Sequence, residues 1–306
     1  MHPTAPAARR NPGFWTRFRM TLDMIKFEHS VFALPFALTG AMLAWRESGF
    51  AIANLGWRLG WIVVAMVGAR SAAMAFNRLL DSAIDSRNPR TAQRHIPAGM
   101  LSRGFAWGFT IASSAVFFAA AYALNPLCFR LSPVALSVVL FYSYTKRFTS
   151  FSHLVLGFAL GIAPAAAWIA MLGSLDPRIL WLTAAVTFWT AGFDIIYSCQ
   201  DYEFDRKEGL FSIPSRLGIG KALVVARLLH ASMLACLAAL VAGFQLGPVA
   251  IAGVLIVATL LIYEHRLVRA YDLSRVDAAF FAVNGYVSVL FFVFWTADIL
   301  LVRRGA

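Results

Sequence analysis

From residue 31 to residue 302 the chain is a succession of apolar runs of membrane-crossing length. A helix needs about 20 predominantly apolar residues to span a bilayer core, and its backbone polar groups must be satisfied within the segment. Nine such spans are read, at 31–47, 59–77, 104–124, 130–145, 153–172, 179–199, 221–244, 247–265 and 278–302. The runs are continuous rather than alternating, which excludes a β-barrel. Only 14% of the 306 residues are charged, against about 25% in an average soluble domain. The predicted class is therefore all-α and polytopic, a single domain over residues 1–306, with residues 1–30 as a lead-in.

The net charge of +12 could suit nucleic acid, but its distribution points to a membrane instead. Most of the 27 lysines and arginines fall in the amino terminus and in the loops after spans 2, 4, 6 and 8. Arg46, Arg58, Arg130 and Arg178 occupy the opposite loops. This is the positive-inside pattern, and it places the amino terminus and the even-numbered loops in the cytoplasm. Arg303 and Arg304, at the far end of span 9, run against it. Cys128, Cys199 and Cys236 have neither metal-site nor disulfide spacing. Residues 1–30 are basic and lack the apolar core of a signal peptide. Phe14, Phe18, Leu22 and Ile25 share one face while Arg17, Arg19 and Lys26 lie elsewhere, predicting an interfacial amphipathic helix.

Carboxylates beside a membrane are expensive and are kept for a purpose, yet two clusters of them leave apolar helices here. Asn77, Asp81 and Asp85 fall at i, i+4 and i+8, on one helical face. Asp201 and Asp205 repeat the spacing, and Asp194, one heptad before Asp201, shares their face. Oxygen ligands at this density suit a hard cation such as Mg²⁺, which usually comes with phosphate or diphosphate. Cations held between two such faces would neutralise charge on a departing group. A plainer alternative has Asp81 and Asp85 closing a helix end in ion pairs with Arg78, Arg87 or Arg90. A second cluster on the same membrane face, again followed by a basic loop (87–99 and 206–218), argues against it.

Arg70 lies inside span 2, on the face of Asn77. At that depth it must meet an anion, either Asp194 in a fixed ion pair or a diphosphate or carboxylate of a substrate. Lys146 and Arg147, at the end of Tyr142-Ser143-Tyr144-Thr145-Lys146-Arg147, are either positive-inside anchors or a grip on phosphate oxygens. Arg94 and His95 carry the same two readings, and His153 reads as structural. Together these features ask for Mg²⁺, a diphosphate and something apolar from the bilayer, which an isoprenyl diphosphate supplies.

Three of these motifs, Asn77-x-x-x-Asp81-x-x-x-Asp85, Tyr142-x-x-x-Lys146-Arg147 and Asp201-x-x-x-Asp205 followed by Arg206, resemble those of the UbiA superfamily of intramembrane prenyltransferases in order and loop placement. Arg94-His95-Ile96-Pro97-Ala98-Gly99 is similar to the family's R-x-L/I-P-x-G loop, and the likeness covers nearly the whole chain. The resemblance implies nine helices around a central cavity open sideways to lipid and capped by two long cytoplasmic loops. It implies Mg²⁺ held by Asn77, Asp81 and Asp85 on one side and by Asp201 and Asp205 on the other, the four aspartates being catalytic. Diphosphate and substrate contacts would come from Arg70, Arg78, Arg94, Tyr142, Lys146, Arg147, Asp194, Tyr197 and Arg206. The implied chemistry is ionisation of an allylic C–O bond, attack by an electron-rich ring on the carbocation, and loss of the ring proton.

Two positions depart from the common form. Many 4-hydroxybenzoate enzymes carry N-D-x-x-D where this chain has Arg78, and many relatives carry aspartate where Ser198 follows Tyr197. The variant is most similar to the 4-hydroxybenzoate polyprenyltransferase-like branch, which includes enzymes acting on a dihydroxynaphthoate in the futalosine route to menaquinone. The expected reaction is Mg²⁺-dependent transfer of a polyprenyl chain from its diphosphate to a 4-hydroxybenzoate-type acid in respiratory quinone synthesis. The alternatives are naphthoate prenylation and a haem or chlorophyll-type transfer. An ion-coupled transporter using Arg70 and Asp194 would leave the aspartate pairs unexplained. Expected partners are the diphosphate, the aromatic acceptor and lipid, with no nucleic acid, in a bacterial inner membrane.

Overall fold

The computed structural model describes residues 14–26 and 30–305, and the described part is 81% helix with no strands. A short amphipathic helix α1 (Phe14–Met24) precedes α2 (Ser30–Glu47), α3 (Leu55–Asp85), α4 (Arg103–Leu124), α5 (Pro126–Thr145), α6 (Ser152–Leu172) and α7 (Leu180–Ser198). The short helices α8 (Tyr202–Glu208) and α9 (Ile213–Leu217) lead into α10 (Ile219–Gly243) and α11 (Pro248–Leu267). A single turn α12 (Val276–Ala278) then passes through a π-helical turn, Ala279–Val283, into α13 (Asn284–Gly305). Among the described residues eight helices are long and apolar enough to cross a membrane, and the protein is an integral membrane protein. The remaining predicted span, α2, is 18 residues long and ends on Arg46 and Glu47, which dilute its apolar length. It packs between α6 and α13 with Phe36, Ala37, Ala41 and Leu43 wholly buried.

The helices close into a bundle because most spans carry a lipid-facing and a protein-facing side. α2 contacts α6 and α13; α6 contacts α7; α7 contacts α10; α11 contacts α13; α3 lies against α4 and α5. The core joins Phe36, Trp168, Trp189, Phe291 and Trp295. In hydrocarbon this packing rests on close helix approach through small residues rather than on expulsion of water. Gly157 and Gly161 of α6 face α7 in this way, and Gly40 of α2 lies against the backbone of Pro164.

The end of the bundle away from the carboxylate clusters is tied by a cap from another helix. Asp298 of α13, only 3% exposed, accepts the Gly247 N–H at 2.8 Å and the Ala250 N–H at 3.2 Å at the start of α11. These are backbone donors a helix leaves unsatisfied at its first turn, and an anion there also faces the positive end of the helix dipole. Asp298→Ala is expected to lower stability by about 1–2 kcal/mol, read as a lower midpoint of thermal unfolding in detergent. Asp298→Asn, which keeps an acceptor oxygen, recovers most of the loss.

The opposite end positions the site. α3 runs on past residue 77 to Asp85 and carries the first cluster out of the bundle on an unbroken helix. α7 does not continue in that way. A 3₁₀ turn, Cys199–Asp201, separates it from α8, so Asp201 and Asp205 straddle a change of helix rather than sharing one regular face. The predicted amphipathic helix forms as α1, with Met24 and Ile25 buried against Ala75, Leu79, Ile96 and Leu101. Trp15 and Phe18 are exposed. Residues 1–13 of the predicted lead-in lie outside the described residues.

Candidate active site

The exposed ends of α3, α5, α6 and α7, with the loops that follow α3 and α8, enclose a cavity of about 560 Å³. Asn77, Asp81, Asp85, Asp201 and Asp205 all line it, as do Arg70, Arg78, Arg94, His95, Tyr142, Lys146, Asp194 and Tyr197. Two predicted residues stand elsewhere. Arg147 reaches Asp81 without lining the cavity, and Arg206 stacks over the Tyr202 ring and donates to its hydroxyl at 3.1 Å, away from the site.

The helical stacking on α3 is realised as a contact, since Asn77 Nδ2 donates to Asp81 Oδ2 at 3.1 Å. Asp81 is 2% exposed and is gripped from both sides. Lys146 Nζ lies 2.8 Å from Oδ2 and Arg147 Nη2 3.0 Å from Oδ1. Arg147 also donates to the carbonyls of Ser143 and Leu80, at 2.6 and 3.0 Å. Those three acceptors fix it behind the carboxylate. Asp85 receives Arg94 Nη1 at 2.8 Å on both oxygens. The cations thus come from the next loop and from the turn just after α5, not from Arg78, Arg87 or Arg90. Arg78 turns its Nε to the carbonyl of Met24 (3.4 Å), tying α1 to the rim, and Arg87 pairs with Glu208.

Arg90 crosses to the second cluster. Its Nε donates to Asp201 Oδ1 at 2.9 Å, its Nη2 pairs with Asp201 Oδ2, and its Nη1 donates to the Tyr197 hydroxyl at 3.0 Å. Asn88 Nδ2 adds a bond to Asp201 Oδ1 at 2.9 Å. Burial pulls the Arg90 guanidinium down, but its hydrogen bonds to Asp201 and that residue's charge outweigh the loss and hold it above its ordinary range. His95, on the same loop, is lowered by burial, with Asp23 of α1 opposing.

Asp194, one of the two alternatives offered as a partner for Arg70, has Oδ2 2.7 Å from His153 Nδ1. His153 Nε2 receives the Ile213 N–H at 3.3 Å, so the ring proton sits on Nδ1 and is donated to Asp194. A histidine read as structural therefore lines the cavity and ties α6, α7 and the start of α9 together. Phe211 N–H closes the loop before α9 onto the Lys146 carbonyl at 2.9 Å. Asn88 was not singled out in the sequence, Arg90 was offered as a partner for Asp81 or Asp85 rather than for Asp201, and His153 was given no role in the site.

Aromatic and aliphatic side chains lie on the inner wall. The π-helical turn carries Phe280 and Phe281 at the cavity, where the Phe280 ring lies tilted against Tyr197, with centroids 4.2 Å apart, and edge-on to Phe193 at 5.3 Å. Such turns insert one extra residue per turn and re-aim side chains. Leu156, Leu160 and Phe32 continue this wall. The charged groups thus crowd the outer end of the cavity, and farther in the aromatic and aliphatic side chains share the wall with Arg70, Thr190 and Asp194.

Among the described residues no three Asp, Glu, His or Cys side chains converge into a closed metal cage. Mg²⁺ does not require one: it is bound by one or two carboxylates and completes its shell with water and phosphate oxygens. Asp81 with Asp85, and Asp201 with Asp205, supply hard oxygen donors on two sides of one cavity, so the donor set fits that ion.

Residues 33–300 match the UbiA prenyltransferase family, and the chain belongs to that family as a prenyltransferase. It is 31% identical to a 4-hydroxybenzoate octaprenyltransferase of Vibrio atlanticus (strain LGP32), over 76% of this chain and 83% of the relative. A protein of the same description from Vibrio campbellii is 30% identical over 94% of this chain and its own full length. Among solved structures, a UbiA homolog from Aeropyrum pernix K1 superposes with a TM-score of 0.79 at 35% identity, covering 90% of this chain and 98% of that one. A UbiA homolog from Archaeoglobus fulgidus bound to GPP and Mg²⁺ shares the fold, with a TM-score of 0.70 at 22% identity over 92% and 99% of the two chains.

Proposed function

We propose that this prenyltransferase attaches a polyprenyl chain, taken from its diphosphate, to 4-hydroxybenzoate or a closely related hydroxyaryl acid in respiratory quinone synthesis, with Mg²⁺ as cofactor. The observation that carries the proposal is the pairing of two carboxylate sets with four cationic side chains, Lys146, Arg147, Arg94 and Arg90, beside one cavity that also carries aromatic side chains. The curated relatives described as 4-hydroxybenzoate octaprenyltransferases support the choice of acceptor.

In this reading Asn77, Asp81 and Asp85 hold one Mg²⁺ and Asp201 and Asp205 another. Bound there, the ions would neutralise the charge that builds on the departing diphosphate. Lys146, Arg94 and Arg90, each paired with an aspartate, can turn to phosphate oxygens when the substrate binds, because charge-assisted bonds to phosphate replace those to carboxylate. The prenyl chain lies along Phe280, Phe281, Leu156 and Leu160, which exclude water from the allylic carbon once its C–O bond breaks. Tyr197, Tyr142 and Phe193 face that carbon's surroundings with π-electrons that favour a cation. The acceptor ring then bonds to the carbon and loses its proton. Arg70 or Arg78 receives the acceptor's carboxylate. The chain crosses the membrane nine times, α2 included, with α1 and the site loops on the cytoplasmic side of a bacterial inner membrane, as the charge distribution supports.

The test is an assay of purified protein with geranyl diphosphate and Mg²⁺ against 4-hydroxybenzoate and 1,4-dihydroxy-6-naphthoate in parallel, read by product mass. The expected product is prenylated 4-hydroxybenzoate, and chelation of the metal is expected to lower its rate by about a hundredfold or more. Turnover of the naphthoate alone moves the enzyme to menaquinone synthesis, and no prenylated aryl acid at all overturns the proposal.

A further inference from the structure

A second cavity, of about 400 Å³, opens on the outer surface between α10 and α11 at the same end of the bundle as the active site. Gly220, Leu223 and Arg227 form its wall on α10, one stripe at i, i+3 and i+7. His265 and Arg266 in the last turn of α11 and Arg269 in the loop beyond it form the other side. No carboxylate lines the cavity, and Arg227 and Arg266 have no ion pair among the described residues. The His265 ring is set by Nε2 at 3.0 Å from His230 Nδ1, and Arg269 is braced against the Tyr271 hydroxyl at 2.8 Å.

Cations near a helix end are explained by the positive-inside tendency and by the helix dipole, and Arg266 alone would need nothing more. Arg227 is different. It stands eight residues into α10, about 12 Å along the axis at 1.5 Å per residue. Val224 and Leu228 beside it on α10, and Ile262 and Tyr263 in the turn before Arg266 on α11, are large and exposed. An exposed arginine among lipid-facing side chains at that depth needs an anion at the membrane boundary. Gly220 leaves room for one, since a Cβ built there would meet nothing within 4 Å.

We infer that this cavity binds the phosphate headgroup of an anionic phospholipid, whose acyl chains run down the exposed faces of α10 and α11. Charge complementarity selects this occupant: a zwitterionic headgroup would bring its ammonium into a cavity without a carboxylate, and basic recesses between spanning helices suit anionic headgroups.

The experiment uses the full-length protein, delipidated in neutral detergent, with bound phosphatidylglycerol or phosphatidylcholine measured by native mass spectrometry. The wild type is expected to prefer phosphatidylglycerol. The double variant Arg227→Gln, Arg266→Gln is expected to lose about 25-fold of that preference, at about fivefold per arginine near an anionic surface. Arg227→Lys with Arg266→Lys keeps most of it. Gly220→Phe, which fills the cavity while leaving the arginines in place, is expected to lose it. Both losses must occur with the unfolding midpoint in phosphatidylcholine unchanged. An undiminished preference in the Gln variant overturns the inference. So does full displacement of the lipid by an equal concentration of inorganic phosphate, which would make the cavity a site for the free anion.

Discussion

Asp81→Ala is expected to lower kcat/KM for prenyl transfer by about a thousandfold or more, equivalent to about 4 kcal/mol of lost transition-state stabilisation. Asp81 is the most enclosed carboxylate of the first cluster, and Asn77, Lys146 and Arg147 all converge on it. Removing it takes away a hard oxygen donor and the anchor that aims two cations. Loss of fold is not the expected cause. Truncating one partner of a fully buried pair leaves a stranded charge and costs about 3–5 kcal/mol, but the Lys146 and Arg147 side chains are 34% and 31% exposed and regain water. The unfolding midpoint should therefore move much less than the rate. Asp81→Asn separates shape from charge: it fills the same space and still accepts a bond from Lys146, but a neutral amide is a poor ligand for a hard cation. It should lose about a hundredfold. Steady-state kinetics beside thermal unfolding decides the matter, and a folded Asp81→Ala enzyme within tenfold of wild type would remove Asp81 from the chemistry.

What the sequence made legible was whatever repeats along one chain segment. The spans are visible because a bilayer demands the same long apolar run each time, and the residues of α4, α6 and α10 stand almost where the runs place them. Asn77, Asp81 and Asp85 were visible because α-helical spacing alone puts them on one face. Their cations were not. Arg78 is near Asp81 in sequence yet binds the Met24 carbonyl, while Lys146 and Arg147 arrive from the turn after α5. Spacing cannot rank partners that only tertiary packing brings close. The break after Ser198 was hidden for a related reason, because Asp201-x-x-x-Asp205 reads as one helical face whether or not a 3₁₀ turn intervenes. His153 is a lone histidine beside a serine, with no pattern around it, and its role exists only through Asp194 and Ile213. The π-helical turn that brings Phe280 and Phe281 to the cavity has no sequence signature either. Gly157-x-x-x-Gly161 does, and it marks the face where α6 meets α7.

Gly157→Leu is expected to destabilise the protein by about 3 kcal/mol or more, and Gly157→Ala by about 1–3 kcal/mol, the usual range for overpacking. A Cβ at Gly157 would overlap the carbonyl oxygen of Thr187, and one at Gly161 would stand 2.6 Å from the carbonyl oxygen of Thr183. Both obstacles are backbone atoms of α7, so no rotamer change relieves them and the two helices must part. In lipid, that separation forfeits the close packing that holds spans together. It also reaches the site. His153 lies one turn before Gly157 on α6, and Asp194 lies beyond Thr187 on α7, so a wedge between the helices stretches the 2.7 Å contact between them and loosens the loop held at Ile213. Stability and activity should therefore fall together here, unlike at Asp81. Gly108→Ala is the control: a Cβ there meets nothing within 4 Å, and replacing glycine within a helix favours folding by up to about 1 kcal/mol. Unfolding midpoints in one detergent give the comparison. A Gly157→Leu protein as stable as Gly108→Ala would mean that α6 and α7 are not held by this contact.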